Sequence, residues 1–274
     1  MSGYPLRYDA PGPFRAEHVR PGSRYELHDG HPVYCAPTGG DGARGNVAGV
    51  EVLDTDPIVQ ETGIDPGYAP RPEMLRAPDV AVGNVPDQRG WIQGVPPLAV
   101  EYAGSGQDER ELRDKIADFL AAGTQMVWVV RLVGPRRIDV HEPGKRMRTL
   151  GPGEMLSAPG ILRNSYPVEA FYDRSTAHRL TLRNLLQREG YESLEAVRDE
   201  GRNEGRDEGR NEGRNEGRDE GRAQALLLIL DTRGIALSEA ERARILGCRD
   251  TAQLDTWLRR AVTANAAAEV LGGA

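Results

Sequence analysis

Hydrophobic and polar positions follow several different periods along this chain of 274 residues, and each period predicts a different element. Residues 1–23 contain four prolines and little periodicity, which predicts an extended arm with one helical turn. Arg24–Leu27 and His31–Ala36 are short strand-like segments on either side of His28-Asp29-Gly30. Because the Asp-Gly pair tolerates the positive φ angles of a tight turn, this pattern predicts a β-hairpin.

The clearest succession of elements starts at residue 78. Several apolar segments predict strands, and one amphipathic segment predicts a helix that ends at Gly123, a residue type that often terminates helices. These segments are Pro78–Val82, Leu98–Tyr102, the helix Gln107–Ala122, Gln125–Leu132, Arg137–His141 and Arg146–Leu150. The fourth is almost continuously apolar, as is typical of a buried central strand. Strands, one helix and then a buried strand predict an α/β domain with a mixed sheet.

Two stretches have a weaker pattern. Residues 37–72 are rich in Gly, Asp and Pro, and within them Asn46–Leu53 fits a strand as well as a short helix. Residues 181–198 follow the last sheet signal. We predict that they form a helix connecting the α/β domain to the C-terminal part of the chain.

Residues 199–222 are six tandem tetrapeptides of the form (Asp/Asn)-Glu-Gly-Arg. In a helix the four-residue period places Asx and Arg three residues apart, which is slightly stabilising. Glycine opposes a helix by up to about 1 kcal/mol at each position, and the repeat has no apolar face. We predict a solvated spacer that is helical only where its flanks hold it. The alternative is a Gly-lined helix that pairs with a partner helix; fully helical, the repeat would span roughly 36 Å.

Residues 223–274 predict a small helical module. An apolar helix ends at Gly234, a capping box at Ser238–Glu241 opens a second helix, and Asp250 caps a third. The third helix carries its apolar residues on one face: Leu254, Trp257, Leu258 and Val262. So short a segment buries little surface by itself, so it is expected to pack on itself, on the spacer or on a second copy. We therefore expect a homo-oligomer, with residues 199–274 as the candidate contact region.

Composition and charge exclude some classes of function. The net charge is −7, and no segment has the basic excess of a non-specific DNA-coating protein. A nuclease is still allowed, because a metal site needs carboxylates. The two cysteines, Cys35 and Cys248, are too few and too far apart for a disulfide framework or a metal knuckle. Neither a signal peptide nor a membrane-spanning apolar run is recognisable, which predicts a cytoplasmic protein without a membrane partner.

Three side chains on the predicted elements could carry chemistry. Asp79 opens one strand, and Glu101 lies inside the apolar strand that follows, where a charge is costly unless it is paired or binds a cation. Lys115 falls on the edge of the apolar stripe of the next helix, at 100° per residue, and can reach toward the sheet. Two carboxylates and a lysine are a minimal set for metal-assisted phosphodiester hydrolysis. Taken alone, the same pattern also fits surface ion pairs.

Four segments together resemble the Uma2 family, a bacterial branch of the PD-(D/E)XK nuclease superfamily. They are YELHDGHPVY (25–34), APDVAVG (77–83), PPLAVEYAGSGQDERELRDKIADFLAAG (96–123) and VWVVRL (127–132). The resemblance implies a restriction-endonuclease-like mixed sheet over residues 24–180 and a DNA endonuclease activity. The repeat and the helical tail lie outside it.

The resemblance also implies roles for individual residues. Asp79 and Glu101 would bind Mg²⁺, with Mn²⁺ as an alternative, and the Tyr102 carbonyl would complete the protein ligands. Lys115 would be the catalytic lysine, moved from the strand to the helix, and Glu26 a further acidic contributor. Of the 35 basic residues only Lys115 and Lys145 are lysines, so a lysine at the motif position is informative. Arginine would replace it poorly, since it offers neither a compact point charge nor a removable proton.

One departure from the family pattern weakens the inference about substrate binding. Relatives carry a polar helix with a histidine after the first hairpin, whereas this chain has the Gly-rich stretch within residues 37–72 and no matching histidine. The rival hypothesis is therefore a weakly active or inactive nuclease-fold protein. Such a protein would act as a nucleic-acid- or protein-binding scaffold through its helical tail.

Overall fold

A computed structural model describes residues 12–106 and 108–272 of the chain. It divides into two compact units, Met1–Leu194 and Glu195–Ala274. The first unit is α/β and the second is helical, so the predicted fold class is confirmed.

The elements of the N-terminal unit include ten strands and three α-helices within the described residues. The strands are β1 (Tyr25–His28), β2 (His31–Tyr34), β3 (Thr62–Ile64), β4 (Val80–Val82), β5 (Leu98–Ala103), β6 (Met126–Arg131), β7 (Arg137–His141), β8 (Arg148–Leu150), β9 (Met155–Leu156) and β10 (Tyr166–Pro167). The helices are α1 (Gly40–Asp54), α2 (Glu109–Ala122) and α3 (Arg174–Arg188), with 3₁₀ turns at Ala16–His18 and Val168–Phe171. Strands β3, β9 and β10 were not predicted from the sequence. The predicted helix start at Gln107 lies outside the described residues.

A six-stranded mixed sheet in the order β3-β4-β5-β6-β7-β8 forms the centre of this unit. Its neighbours are antiparallel except β5 and β6, which are parallel and are joined by the crossover helix α2. Alternate residues of β5 point to opposite faces. Ala99 and Ala103 pack with α2, whereas Val100 and Tyr102 pack with α1 and α3. The result is a three-layer arrangement with helices on both faces.

The predicted hairpin is present as β1 and β2. Asp29 and Gly30 at its turn have φ angles of 45° and 77°, as a tight turn requires. The described part of the preceding arm contains one helical turn, as predicted, in the form of the 3₁₀ turn Ala16–His18. Ala16 and Val19 are buried and pack with Leu27 of β1, so the 3₁₀ turn anchors the arm to the hairpin.

The Gly-rich region forms α1, a helix of 15 residues, which resolves the ambiguity over Asn46–Leu53 and corrects the expectation that the helix after the first hairpin is missing. Local propensity is misleading here because the glycines serve tertiary packing. A Cβ at Gly45 would lie 2.6 Å from Cε1 of Tyr102, and a Cβ at Gly49 would overlap the hydroxyl oxygen of the same tyrosine. The glycines therefore let α1 approach β5 closely.

The C-terminal end of α1 is held by a buried polar cluster. The Asp56 carboxylate accepts hydrogen bonds from the backbone N–H groups of Arg163 and Asn164, at 2.9 and 3.0 Å, and from the Tyr166 hydroxyl at 2.6 Å. Arg188 of α3 donates to the carbonyl of Asp56 at 2.9 Å and to the carbonyls of Asp54 and Val59 at 2.6 and 2.7 Å. The carbonyls at this helix end are thereby satisfied, which fixes α1 on its face of the sheet.

One prediction about the connection to the tail is corrected. Residues 181–198 do not form one helix, because α3 ends at Arg188 and a turn with Gly190 at a φ of 90° separates it from the next helix. That helix, α4 (Leu194–Thr232), runs through the whole repeat for 39 residues. Its N-terminal turns are exposed, and its C-terminal residues Leu226 and Leu230 are anchored in a core. The repeat is thus helical over its whole length, and nearly all of its residues are exposed.

The remaining helices of the C-terminal unit are α5 (Glu239–Leu246), α6 (Thr251–Ala261) and the unpredicted α7 (Ala267–Leu271). The capping box at Ser238 and the cap at Asp250 are both formed. Leu254 and Trp257 are buried as predicted, but Val262 is 63% exposed. Helix α6 ends at Ala261, so Ala261 takes the next buried position and Val262 turns outward.

Among residues 12–106 and 108–272, no helix combines the length and the apolar character needed to cross a membrane.

Candidate active site

Glu101 and Lys115 meet on the face of the sheet covered by α2. Glu101 follows Ala99 on the α2-facing side of β5, as the strand alternation requires. The Lys115 ammonium lies 3.0 Å from Oε1 of Glu101 and donates a hydrogen bond to Oε2 at 3.1 Å. The lysine side chain is only 15% exposed and the carboxylate 8%. The edge position predicted for Lys115 thus places its charge in a nearly dry environment.

Glu26 reaches the same lysine from the hairpin. Its Oε1 lies 3.2 Å from the Lys115 ammonium, and the same oxygen accepts a hydrogen bond from the Ala77 N–H at 3.3 Å. Its side chain is 8% exposed, so Glu26 is not the solvated turn carboxylate that a hairpin usually carries. Lys115 is therefore bracketed by two buried carboxylates that are far apart in the sequence.

Asp79 lies at the same end of the sheet. It immediately precedes β4, where Val80 pairs with Val100, so Asp79 stands beside Glu101. Oδ2 of Asp79 accepts a hydrogen bond of 2.6 Å from the Tyr102 N–H. The Asn46 side chain of α1 also interacts with Asp79 and favours its charged form. The two predicted metal-binding carboxylates are therefore brought together by neighbouring strands.

Burial controls the electrostatics of these groups. Burial raises the pKa of Glu101 to about 8; the Lys115 charge opposes this rise, and the negative charges of Asp79 and Glu26 add to it. Burial likewise raises the pKa of Asp79. Desolvation lowers the pKa of Lys115, but its anionic neighbours outweigh that effect, so the net shift is upward. Lys115 is consequently a cation at neutral pH and cannot serve as a general base there.

A second layer of charged residues supports Glu26. Arg76, with 1% of its surface exposed, places Nη1 3.2 Å from Oε2 of Glu26 and Nε 2.7 Å from Oδ2 of Asp118 on α2. His28 Nδ1 lies 2.8 Å from that same Asp118 oxygen. The sequence pattern missed Arg76, Asp118 and Asn46. Asp118 follows Lys115 by three residues and therefore lies on a neighbouring part of the helix surface. This spacing was the one feature of the sequence that could have identified Asp118 as a site residue.

Asp65 and Cys35 also adjoin the site. Asp65 has a φ of 52°, a left-handed conformation that is uncommon for residues other than glycine. Burial raises its pKa, and so does the charge of Asp79. Burial followed by the charge of Glu26 raises the pKa of the Cys35 thiol to about 12. A low-pKa catalytic thiolate is therefore excluded for Cys35.

The Cys35 thiol is expected to be almost inert in the native chain. In a Cys248→Ala variant Cys35 is the only cysteine. At pH 8 a pKa of about 12 leaves a thiolate fraction of about 10⁻⁴. Reaction with a disulfide reagent should therefore be on the order of 1,000-fold slower in buffer than in guanidinium chloride. The reciprocal Cys35→Ala variant is the control, and fast labelling of native Cys35 at pH 8 would contradict the assignment.

The chemistry of the donor set agrees with a hard divalent cation. The carboxylates of Glu26, Glu101 and Asp118 are buried and that of Asp79 is partly exposed, and the cations of Lys115 and Arg76 lie among them. Oε1 of Glu101 is buried and accepts no hydrogen bond, although the Lys115 ammonium lies 3.0 Å from it, so a metal ion bound there would share this oxygen with the lysine. Within the described ranges no three His, Cys, Asp or Glu residues form a metal-binding cluster. Mg²⁺ needs no such cluster, because it is commonly held by one or two carboxylates and several waters.

The predicted site residues are thus placed as follows. Glu26, Glu101 and Lys115 are in direct contact, and Asp79 is joined to them through the backbone of Tyr102. The role of the Tyr102 carbonyl as a metal ligand stays a prediction, as do the roles of the four side chains. His28, beside the hairpin turn, contacts Asp118.

Comparisons with known proteins identify the family and the fold. Residues 13–169 match the model of the Uma2 family, which is described as "Putative restriction endonuclease". A crystal structure of a protein from Anabaena variabilis, described as "a putative nuclease belonging to DUF820", superimposes with a TM-score of 0.51 at 15% sequence identity. The match covers 59% of this chain and 99% of that one, and at such low identity it shows the fold alone. A search of curated proteins found no match.

The family match spans more than half of the chain and includes the hairpin, α1, the two carboxylate-bearing strands and the lysine-bearing helix. The chain belongs to the Uma2 family.

Proposed function

We propose that the chain is a Mg²⁺-dependent endonuclease that hydrolyses phosphodiester bonds in DNA. The observation that carries the proposal is the buried Lys115 ammonium, held within 3.2 Å of both Glu26 and Glu101 beside Asp79. A lysine cation on a helix and two carboxylates on adjoining strands can together position a phosphodiester and a water molecule. Family membership supports the same reaction class.

Asp79 and Glu101, with the Tyr102 carbonyl, would hold the Mg²⁺, and Mn²⁺ would be accepted by the same oxygen ligands. When bound, the ion would polarise a phosphoryl oxygen and lower the pKa of a water molecule. Glu101 is well suited to such a role, because its anionic form is costly in its buried position and a nearby cation stabilises it.

Lys115 contributes a fixed positive charge. Because its pKa is raised, it keeps its proton and donates hydrogen bonds, so it can orient a nucleophilic water and stabilise the charge that develops on the phosphoryl oxygens. Glu26 contacts the ammonium together with Glu101 and helps to keep it in place. The net charge of −7 means that DNA affinity comes from local contacts and the cation and not from a generally basic surface.

The test is cleavage of supercoiled plasmid and single-stranded DNA by the full chain with Mg²⁺ or Mn²⁺, and with EDTA as the metal-free control. Asp79→Ala and Lys115→Ala are expected to lower the rate by at least about 100-fold. Lys145→Ala and Asp87→Ala, at exposed positions, serve as matched controls. Equal rates in the wild type and both site variants would refute the site. Absence of cleavage by the wild type would support the scaffold hypothesis.

The C-terminal unit supports a second proposal, that copies of the chain associate through residues 199–274. At 100° per residue, successive glycines of α4 are displaced by about 40°, so they form a stripe that winds around the helix, with glutamates on one side of it and arginines on the other. In a parallel pair of such helices the glutamate edge of each faces the arginine edge of its partner on both sides. In an antiparallel pair like charges would meet. Charge complementarity therefore favours a parallel pair.

Charge reversal tests this association in the full chain. Changing Arg206, Arg210 and Arg214 to Glu is expected to dissociate the oligomer, as measured by light scattering after size-exclusion chromatography. The opposite variant, with Glu204, Glu208 and Glu212 changed to Arg, should also dissociate. An equimolar mixture of the two should associate again. A wild type that is monomeric, or variants that keep its mass, would rule the contact out.

A further inference from the structure

A buried chain of charges links the back of the hairpin to Lys115. Asp118 on α2 accepts a hydrogen bond from Arg76 Nε at 2.7 Å, Arg76 Nη1 contacts Glu26 at 3.2 Å, and Glu26 contacts Lys115 at 3.2 Å. The side chains of Arg76, Asp118 and Glu26 are 2%, 6% and 8% exposed. Each contact is therefore shielded from solvent, and a member that turned away would remove a buried charged partner from its neighbours.

We propose that Arg76 is a positioning residue: anchored by Asp118, it fixes Glu26 against the Lys115 ammonium and so orients that ammonium between Glu26 and Glu101. The inference rests on the proposed function only for its consequence on cleavage. Arg76 itself does not reach the lysine, and it acts through Glu26.

The geometry requires an arginine and not merely a positive charge. The Nε and Nη1 atoms of one planar guanidinium serve two carboxylates on different elements, Asp118 on α2 and Glu26 on β1. A lysine has a single nitrogen and cannot keep both contacts in a fixed relative orientation. Asp118 is a firm anchor, because His28 also contacts it at 2.8 Å and Arg71 at 3.7 Å.

The first readout does not depend on activity. In a Lys145→Arg background Lys115 is the only lysine, so its ammonium gives a single side-chain signal in ¹⁵N NMR spectra. Hydrogen exchange of that ammonium is expected to accelerate at least about tenfold in Arg76→Gln, because Glu26 no longer holds it. Asp118→Asn, an isosteric change that keeps the fold, is expected to accelerate it severalfold. Unchanged exchange in either folded variant would overturn the proposal.

A matched control distinguishes the loss of the positioning role of Arg76 from the general effect of removing a buried ion pair. Arg131 makes a comparable contact with the buried Asp139, Nε to Oδ2 at 2.9 Å, on strands β6 and β7. Arg131→Gln is expected to leave the exchange of the Lys115 ammonium unchanged. Equal acceleration in Arg131→Gln and Arg76→Gln would show a general loosening of the fold and would also overturn the proposal.

The second readout is cleavage. Arg76→Gln is expected to lower kcat by about 10- to 100-fold with little change in KM, as small misplacements of catalytic groups do. Arg76→Lys should not restore it. In a Glu26→Gln background, Arg76→Gln should cause no further loss, whereas additive losses would mean that Arg76 does not act through Glu26. If the wild type does not cleave DNA, the proposed function fails, while the exchange result still decides the positioning role.

Discussion

Lys115→Arg is expected to lower the rate of metal-dependent cleavage by at least about 100-fold although it preserves the charge. The ammonium of Lys115 sits between Glu26 and Glu101 at 3.2 and 3.0 Å in a space that exposes 15% of its side chain. A guanidinium is wider and planar, so it cannot place one compact charge at that point. Overpacking should also cost about 1–3 kcal/mol of stability, which thermal unfolding measures separately.

Lys145→Arg is the matched control for this prediction, because it changes the other lysine of the chain. Lys145 is 68% exposed and pairs with Glu142 in a turn, so both cleavage and stability should stay at wild-type values. Cleavage by Lys115→Arg at the wild-type rate would show that any cation suffices at this position. The compact-charge role of Lys115 would then be wrong.

The sequence was sufficient to predict an element where the local pattern and the tertiary environment favour the same structure. The apolar run that became β6 and the glycine that ends α2 are local signals, and both were read correctly. The placement of Lys115 on the edge of the apolar stripe needed only helical periodicity. Its contact with Glu101 then follows, because α2 is the crossover between two parallel strands and must pack on the sheet beside them.

The supporting residues could not be predicted, because their partners are distant in the sequence. Arg76 is 42 residues from Asp118 and 50 from Glu26, and no periodic pattern relates such positions. Asn46 could not be predicted as a site residue for a different reason. It lies in α1, where the sequence fitted a strand as well as a short helix, and the role of the glycines there is evident only from the packing of Tyr102 against them.

Gly49→Ala is expected to destabilise the N-terminal unit by about 1–3 kcal/mol, although alanine is the better helix former. Its methyl group would overlap the hydroxyl oxygen of Tyr102, whose ring packs against α1 in the same core cluster as Phe171. The effect extends to the candidate site, because Tyr102 follows Glu101 and donates its N–H to Asp79. The melting temperature and the cleavage rate should therefore both fall.

Tyr102→Phe provides the test of this cause. It removes the overlapping oxygen, and the next nearest ring atom, Cζ, lies 3.3 Å from the new methyl group, a tight but tolerable distance. In the Tyr102→Phe background Gly49→Ala should thus be nearly neutral or stabilising, which corresponds to a coupling energy of about 1–3 kcal/mol in the double-mutant cycle. Gly40→Ala, in the first turn of the same helix, meets no atom within 4 Å and should be close to neutral. Equal destabilisation by Gly49→Ala in both backgrounds would mean that the helix, and not its contact with Tyr102, requires the glycine.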